Sequence, residues 1–359
     1  MRLRLRTIPG AVKNVLGLMG VIVVASAASS STTGTGKVVI AEFGGAYSQS
    51  VRDVFAEPFS RQTGYDAQVV DMGDFGAVVA KIKAMVKAHN TQWDMIELLG
   101  TQANELVARG GVERLPVDQR RRLQRVLSPG AVKPWGVAIA SFTELIACNR
   151  DTVKRCPRTA AEFFDTKRFP GRRALGKDDW LNNCALALEA DGVPPRRVFP
   201  MDISRCLRKM AAIKSRIGVF YSTADQLQQL FRDREIDIAL GPDGRLWNLV
   251  DDGMRLSLSY RGALDQSDYF VVIKGAKNRP GAFAFISWYA TNPRAQARFA
   301  IARVYGMPNP SAYKYIPSSV ARQLVDFPAN KKQTIPADYG WVRLHGADAA
   351  RRWANFLAG

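Results

Sequence analysis

The stretch Val38-Val39-Ile40-Ala41-Glu42-Phe43-Gly44-Gly45-Ala46-Tyr47 runs from an apolar, β-branched segment through a glycine pair into a helical pattern over Ser48–Gln62. Strand, tight turn and helix in that order open an α/β unit. The glycine pair supplies the backbone freedom that the turn needs. In an open α/β sheet, ligands bind at the carboxyl edge of the strands, so the Gly44 and Gly45 N–H groups and the Tyr47 ring are expected either at such an edge or simply at a chain reversal. Further along the chain, strand-like runs at Ala67–Met72, Trp93–Leu98, Gly136–Ile146, Ile236–Leu240, Arg255–Tyr260 and Tyr269–Ile273 interleave with helical ones. The helical runs are Phe75–Ala88, Gln102–Arg109, Leu181–Ala190, Ser204–Ile213, Thr223–Arg234 and Gly281–Thr291. The alternation predicts α/β architecture with a largely parallel sheet. Ser222 or Thr223 is a candidate N-cap and Gly64 a candidate helix stop, while Pro194-Pro195 and Pro308-Asn309-Pro310 mark connections.

Arg2, Arg4, Arg6 and Lys13 precede an apolar run from Val15 to Ala25, and Ala25-Ser26-Ala27-Ala28 follows. This is the charge, apolar core and A-x-A order of a secretory signal peptide over residues 1–27, with an uncleaved anchor as the alternative. The run falls short of the roughly 20 residues a membrane-spanning helix needs. Residues 28–36 are rich in Ser, Thr and Gly and read as a flexible leader. An exported, periplasmic protein is expected.

The 359 residues exceed what one hydrophobic core usually organises, so two lobes are expected. The formal charge is +19, and removing the four basic residues of the first 27 leaves +15. Such a charge suits an anionic solute or surface. Nucleic acid is disfavoured, because the Lys and Arg residues are scattered, the run Arg120-Arg121-Arg122 with Arg125 fits a solvated helix face, and no recognition motif accompanies them. Cys148, Cys156, Cys184 and Cys206 are even in number in an oxidising compartment. Three connectivities are open, of which Cys148–Cys156 with Cys184–Cys206 is the most local, and four buried thiols remain an alternative. His89 and His345 are the only histidines, G-x-S-x-G, H-E-x-x-H and P-loop patterns are absent, and so is G-x-G-x-x-G. The expectation is no enzyme, no metal and no cofactor.

The first strand with Gly-Gly-Ala-Tyr, the helix ending Pro58-Phe59-Ser60-Arg61-Gln62-Thr63-Gly64, and Trp93-Asp94-Met95-Ile96 resemble the N-terminal lobe of periplasmic solute-binding proteins of ABC importers. Thr159-Ala160-Ala161-Glu162-Phe163-Phe164-Asp165, Glu235-Ile236-Asp237-Ile238-Ala239-Leu240, Gln266-Ser267-Asp268-Tyr269 and Tyr305-Gly306-Met307-Pro308-Asn309 follow in the family's order. The series looks like the spermidine/putrescine-binding branch. The resemblance implies a type II periplasmic binding fold of two α/β lobes with two hinge crossings. Lobe 1 would hold 37–139 plus 268–322 and lobe 2 would hold 140–267 plus 323–359, with crossings near Val137–Ser141 and Ala263–Ser267. It also implies a small-molecule solute, a cognate permease in the inner membrane and a monomer.

Carried over residue by residue, the resemblance puts Phe43, Tyr47 and Tyr305 on aromatic positions of the solute site, Asp268 on a carboxylate that grips an amine, and Asp179 on a further acidic position. These favour an amine-bearing solute such as putrescine or spermidine, held by cation–π contact and charge pairing. Strand alternation, however, would also place Val39, Ala41 and Phe43 together in a core. Two positions depart from the polyamine pattern: Asn182 stands where a second carboxylate is common, and Pro242-Asp243-Gly244-Arg245 replaces Trp-Asn-Gly. Arg245, before a helix expected to begin near Leu246, suits an acid group, unless it merely pairs with Asp243 or Asp251. The alternative solute is therefore an amino acid-like, opine or other anionic or zwitterionic compound.

Overall fold

The computed structural model describes residues 35–74 and 77–359. The signal peptide expected over 1–27, most of the 28–36 leader and the Phe75 start of a helix lie outside the described residues. Among those described, no helix is long and apolar enough to cross a membrane.

Runs of Val, Ile, Leu and Ala bounded by turns give strands β1 (Lys37–Glu42), β2 (Asp66–Asp71), β3 (Met95–Leu99), β4 (Val132–Lys133), β5 (Gly136–Phe142) and β6 (Glu144–Asn149). There follow β7 (Arg173–Gly176), β8 (Ile217–Tyr221), β9 (Ile238–Pro242), β10 (Leu256–Ser259), β11 (Leu264–Val272) and β12 (Ile335–Pro336). One sheet has the order β2-β1-β3-β11-β5-β4, with β12 added to β11, and the other β10-β6-β9-β7-β8. These sheets, covered by helices, form two α/β lobes, the arrangement that the resemblance to type II periplasmic binding proteins implies.

The sheets are mixed rather than largely parallel. β1 is parallel to β2 and β3, but β11 is antiparallel to both β3 and β5, and β6 is antiparallel to β9 and β10. The reversal comes from the strands that pass between lobes. The run expected as one strand over Gly136–Ile146 breaks at Thr143, so β5 belongs to the first sheet and β6 to the second. Thr143 is buried there and donates its hydroxyl to the Leu264 carbonyl at 2.8 Å, stitching the first crossing to the second. The second crossing runs from β10 to β11, where Gln266 pairs with Phe142. A third passage carries the chain from Leu324, in the first core, to Ile335, in the second.

The first core gathers Ile40, Phe55, Phe59, Leu98, Phe270, Phe285 and Phe299. The second sheet is packed on both faces, by Leu175, Leu188 and Trp353 on one side and Leu227, Phe231 and Leu249 on the other. The helix Tyr339–Ala358 buries Val342, Ala349 and Trp353 and is pinned by the Trp353 indole donating to the Lys177 carbonyl at 2.7 Å. Cys148–Cys156 and Cys184–Cys206 form the two local disulfides, with Cα separations of 5.6 and 5.2 Å. The helix after the first strand ends at Gly64 in the left-handed region, and Thr223 caps the helix Ala224–Arg232 by accepting from Gln226 N–H.

Candidate functional site

β1 ends at Glu42 and the chain turns at Gly44, whose φ of 92° is one that only glycine adopts freely. A Cβ there would also fall 2.4 Å from the Asp71 carboxylate. The turn aims Phe43 and Tyr47 at one point, with ring centroids 5.3 Å apart, and brings Tyr305 to 6.0 Å from Tyr47. Phe43 lies just past the strand end, half-buried and packed against the first core, so the alternation reading holds for it in part. Phe142, at the first crossing, closes the aromatic group 6.4 Å from Tyr305. The Gly44 N–H is not free for a ligand, because it donates to the Ser48 hydroxyl at 2.7 Å.

Beneath the rings lies an acidic group that sequence reasoning only partly anticipated. Tyr47 donates its hydroxyl to Glu97 Oε1 at 2.6 Å. Glu97 and Glu42 are fully buried and face each other, and Asp268, on β11 opposite Leu99, completes the set. Both Glu42 oxygens, Glu97 Oε2 and Asp268 Oδ1 are buried without a donor. Two carboxyls in contact can hydrogen-bond only by sharing a proton, so protons are held tightly. Burial first, with Asp268 adding and the Glu97 contact opposing, pushes the Glu42 carboxyl up to about 8. Burial and then Glu42 hold Glu97 well above the usual carboxylate range, and burial and then Glu97 do the same for Asp268.

The second lobe presents its own acids. Asp243 is buried at the first residue of the helix Asp243–Asp251, where its Oδ1 accepts the Gly244 N–H at 2.9 Å. Its Oδ2 has no donor, and burial, against opposing backbone hydrogen bonds, raises the group to about 8. Asp179 caps the helix Trp180–Ala190 by accepting from the Asn182 amide and side chain, and its carboxyl meets that of Glu144, which is raised by burial and then by Asp179. Asn182, in place of a second carboxylate, receives a hydrogen bond from Gln266 at 3.2 Å and so links this acid pair to the hinge.

Arg245 corrects two expectations. Its helix begins at Asp243 and not near Leu246, and its ion pair is with Asp225 at 3.3 Å rather than with Asp243 or Asp251. Both partners are half-exposed or more, so the pair contributes only about 0–1 kcal/mol and can be exchanged. Next to it, a Cβ on Gly244 would stand 3.3 Å from the Arg303 carbonyl of the first lobe, so the lobes meet here. Tyr305 sits at this meeting. Burial, then Asp243 and Asp268, raise its hydroxyl pKa, while Arg245 opposes them.

Phe43, Tyr47, Tyr305 and Asp268 thus share one neighbourhood with Asp243 and Arg245 across from them, whereas Asp179 caps a helix and meets Glu144. Glu42, Glu97 and Glu144 were missed, although a lone acid in the apolar run Met95-Ile96-Glu97-Leu98-Leu99 was a visible signal. Buried carboxylates beside aromatic faces can hold an ammonium, and a guanidinium at a helix start can hold an acid group. Among the described residues, no group of three or more His, Cys, Asp or Glu is arranged to hold a metal.

The profile of a family described as bacterial extracellular solute-binding protein matches residues 55–328. The gamma-aminobutyric acid-binding protein of Pseudomonas aeruginosa is 28% identical over 351 residues, covering 96% of each chain. Among solved structures, the Atu4243 GABA receptor is 30% identical with a TM-score of 0.80, covering 89% of this chain and 97% of that one. The binding protein AgtB of A. tumefaciens R10, in complex with agropinic acid, is 26% identical with a TM-score of 0.71, covering 90% and 99%. A spermidine/putrescine substrate-binding protein, PotD of Streptococcus pneumoniae, is 16% identical with a TM-score of 0.69, covering 90% and 99%, and shares the fold.

Proposed function

Since this chain belongs to the bacterial extracellular solute-binding proteins, which capture a small molecule for the membrane permease of an ABC importer and are not enzymes, we propose that its solute is a small ω-amino acid or related zwitterion. The observation that carries this is the setting of Tyr305 where the lobes meet, 6.0 Å from Tyr47, its hydroxyl pKa raised by burial and then by Asp243 and Asp268 and lowered by Arg245. An ammonium would settle against Asp268, Glu97 and the faces of Phe43 and Tyr47. The carboxylate would draw Arg245 away from Asp225 and lie at the start of the Asp243–Asp251 helix. Relatives named for γ-aminobutyric acid support the same choice, so the zwitterionic alternative displaces polyamine as the leading reading.

In this account the protein works as a periplasmic monomer. Lobes 37–139 with 268–322 and 140–267 with 323–359 close on a solute that touches both, and the permease reads the closed form. A second reading, a diamine, is favoured by one fact: each lobe carries buried acids, Glu42, Glu97 and Asp268 in the first and Asp243, Asp179 and Glu144 in the second. γ-Aminobutyrate and putrescine differ only in carrying a carboxylate or a second aminomethyl group at one end. Calorimetry with both is the test: tighter binding of γ-aminobutyrate supports the zwitterion, and tighter binding of putrescine defeats it.

A further inference from the structure

At the far end of the second lobe lies a basic hollow that solute capture does not use. The segment Arg150-Asp151-Thr152-Val153-Lys154-Arg155-Cys156-Pro157-Arg158 leaves the end of β6 and is tied back to that strand by the Cys148–Cys156 disulfide. Arg150, Lys154, Arg155 and Arg158 line a cavity of about 430 Å³, joined by Arg255 from the residue before β10. At this end of the sheet Asn149 pairs with Leu256, whereas Glu144, at the other end of β6, pairs with Pro242 beside the cleft. Extended strand puts about 17 Å between the two ends.

The local charges do not balance. Asp151 holds Arg255 at 3.0 Å, and Glu162, the one acid in the cavity wall, accepts the Arg158 backbone N–H at 2.7 Å. Arg150, Lys154, Arg155 and Arg158 are exposed, and no ion pair to any of them is found among the described residues. Arg155 is steadied instead by the Phe169 ring, 5.1 Å from its guanidinium carbon. Like charges so gathered repel one another, and the disulfide keeps them from spreading apart. The backbone that carries them is thereby fixed, which removes part of the ordering that an incoming anion would otherwise have to impose. Guanidinium forks match the paired oxygens of a phosphoryl group, and Lys154 adds a point charge.

We propose that this hollow binds a phosphoryl anion, either free in solution or carried as the headgroup of an anionic phospholipid. The full chain is titrated with inorganic phosphate and with pyrophosphate by calorimetry at physiological salt. It is also sedimented with vesicles of phosphatidylglycerol in phosphatidylcholine, against phosphatidylcholine alone. R155A/R158A is compared with R208A/R343A, which removes two exposed arginines elsewhere in the chain. The expected result is binding by wild type, at least tenfold weaker in R155A/R158A and unchanged in the control, with C148S/C156S also weakened. A dependence seen with vesicles alone assigns the headgroup, and one seen with the free anions alone assigns the soluble ligand. Binding of neither probe, or an equal loss in the control, overturns the proposal. γ-Aminobutyrate affinity is read in the same variants and should not change, so this site and the cleft stand or fall separately.

Discussion

The hydroxyl of Tyr47 donates to Glu97 Oε1 at 2.6 Å, tying the helix that follows the glycine turn to a buried carboxyl on β3. That one contact fixes an aromatic wall and an acidic floor relative to each other. Glu97 then faces Glu42, and both lie beside Asp268. The solute's amine is accordingly expected to meet a preset surface and not a mobile one.

Tyr47→Phe removes the donor and leaves a further buried oxygen without a partner. Loss of such a bond costs about 1–3 kcal/mol. Thermal unfolding should show a lower midpoint, and calorimetry a weaker amine-bearing solute. A variant as stable and as tight-binding as wild type would mean that the hydroxyl positions nothing.

Solute binding should release protons near neutral pH. Glu42 is pushed to about 8, so at pH 7 it is largely protonated in the empty site, while an ammonium bound beside it favours the ionised acid. Calorimetry in two buffers of different ionisation enthalpy reads the release as a buffer-dependent heat, and equal heats would contradict it. The sign for stability follows from the same shifts. Between the ordinary carboxylate range and about 8 the folded state holds protons that the unfolded chain has lost, so stability falls as pH rises through that window. The slope is about 1.4 kcal/mol per pH unit for each such group. A flat or rising midpoint from pH 5 to 8 would be the opposite outcome.

Asp268→Asn keeps the shape and removes the charge that grips the amine. The affinity loss should exceed tenfold, from a penalty of about 2–5 kcal/mol for a desolvated charged contact. Folding should not suffer, since a buried acid crowded by Glu97 gives way to a neutral amide. Unchanged affinity would remove Asp268 from the site.

The two disulfides should differ in weight. Cys184–Cys206 closes 22 residues and Cys148–Cys156 only 8. By loop entropy the Cys184→Ser/Cys206→Ser pair should lose about 3 kcal/mol, and the shorter loop roughly 2.5. Urea unfolding of both variants checks the order.

Features set by near neighbours in the chain were legible before any coordinates. The turn at Gly44, the stop at Gly64, the Thr223 cap and the local cysteine pairs all depend on residues a few positions apart, or a few turns of helix. What depended on sheet order was hidden. Glu97 reads as an interruption of an apolar strand until β3 is seen beside β11, which puts it next to Asp268. Arg245 finds Asp225 on the preceding helix, a partner that no spacing rule favours over Asp243 or Asp251. Thr143 ends a strand only because the next residue belongs to another sheet.

Whether one solute uses both an acidic wall and a guanidinium is decided by titrating γ-aminobutyrate and putrescine into wild type and Arg245→Ala. Half-exposed Arg245 is screened below the about 4 kcal/mol of an unscreened like-charge contact at about 4 Å and an effective dielectric near 20, and should still repel the second ammonium of putrescine as it attracts a carboxylate. Wild type should prefer γ-aminobutyrate, and Arg245→Ala should bind it at least tenfold more weakly while binding putrescine no worse. Tight putrescine binding by wild type, with γ-aminobutyrate affinity untouched by the substitution, would contradict the zwitterionic reading.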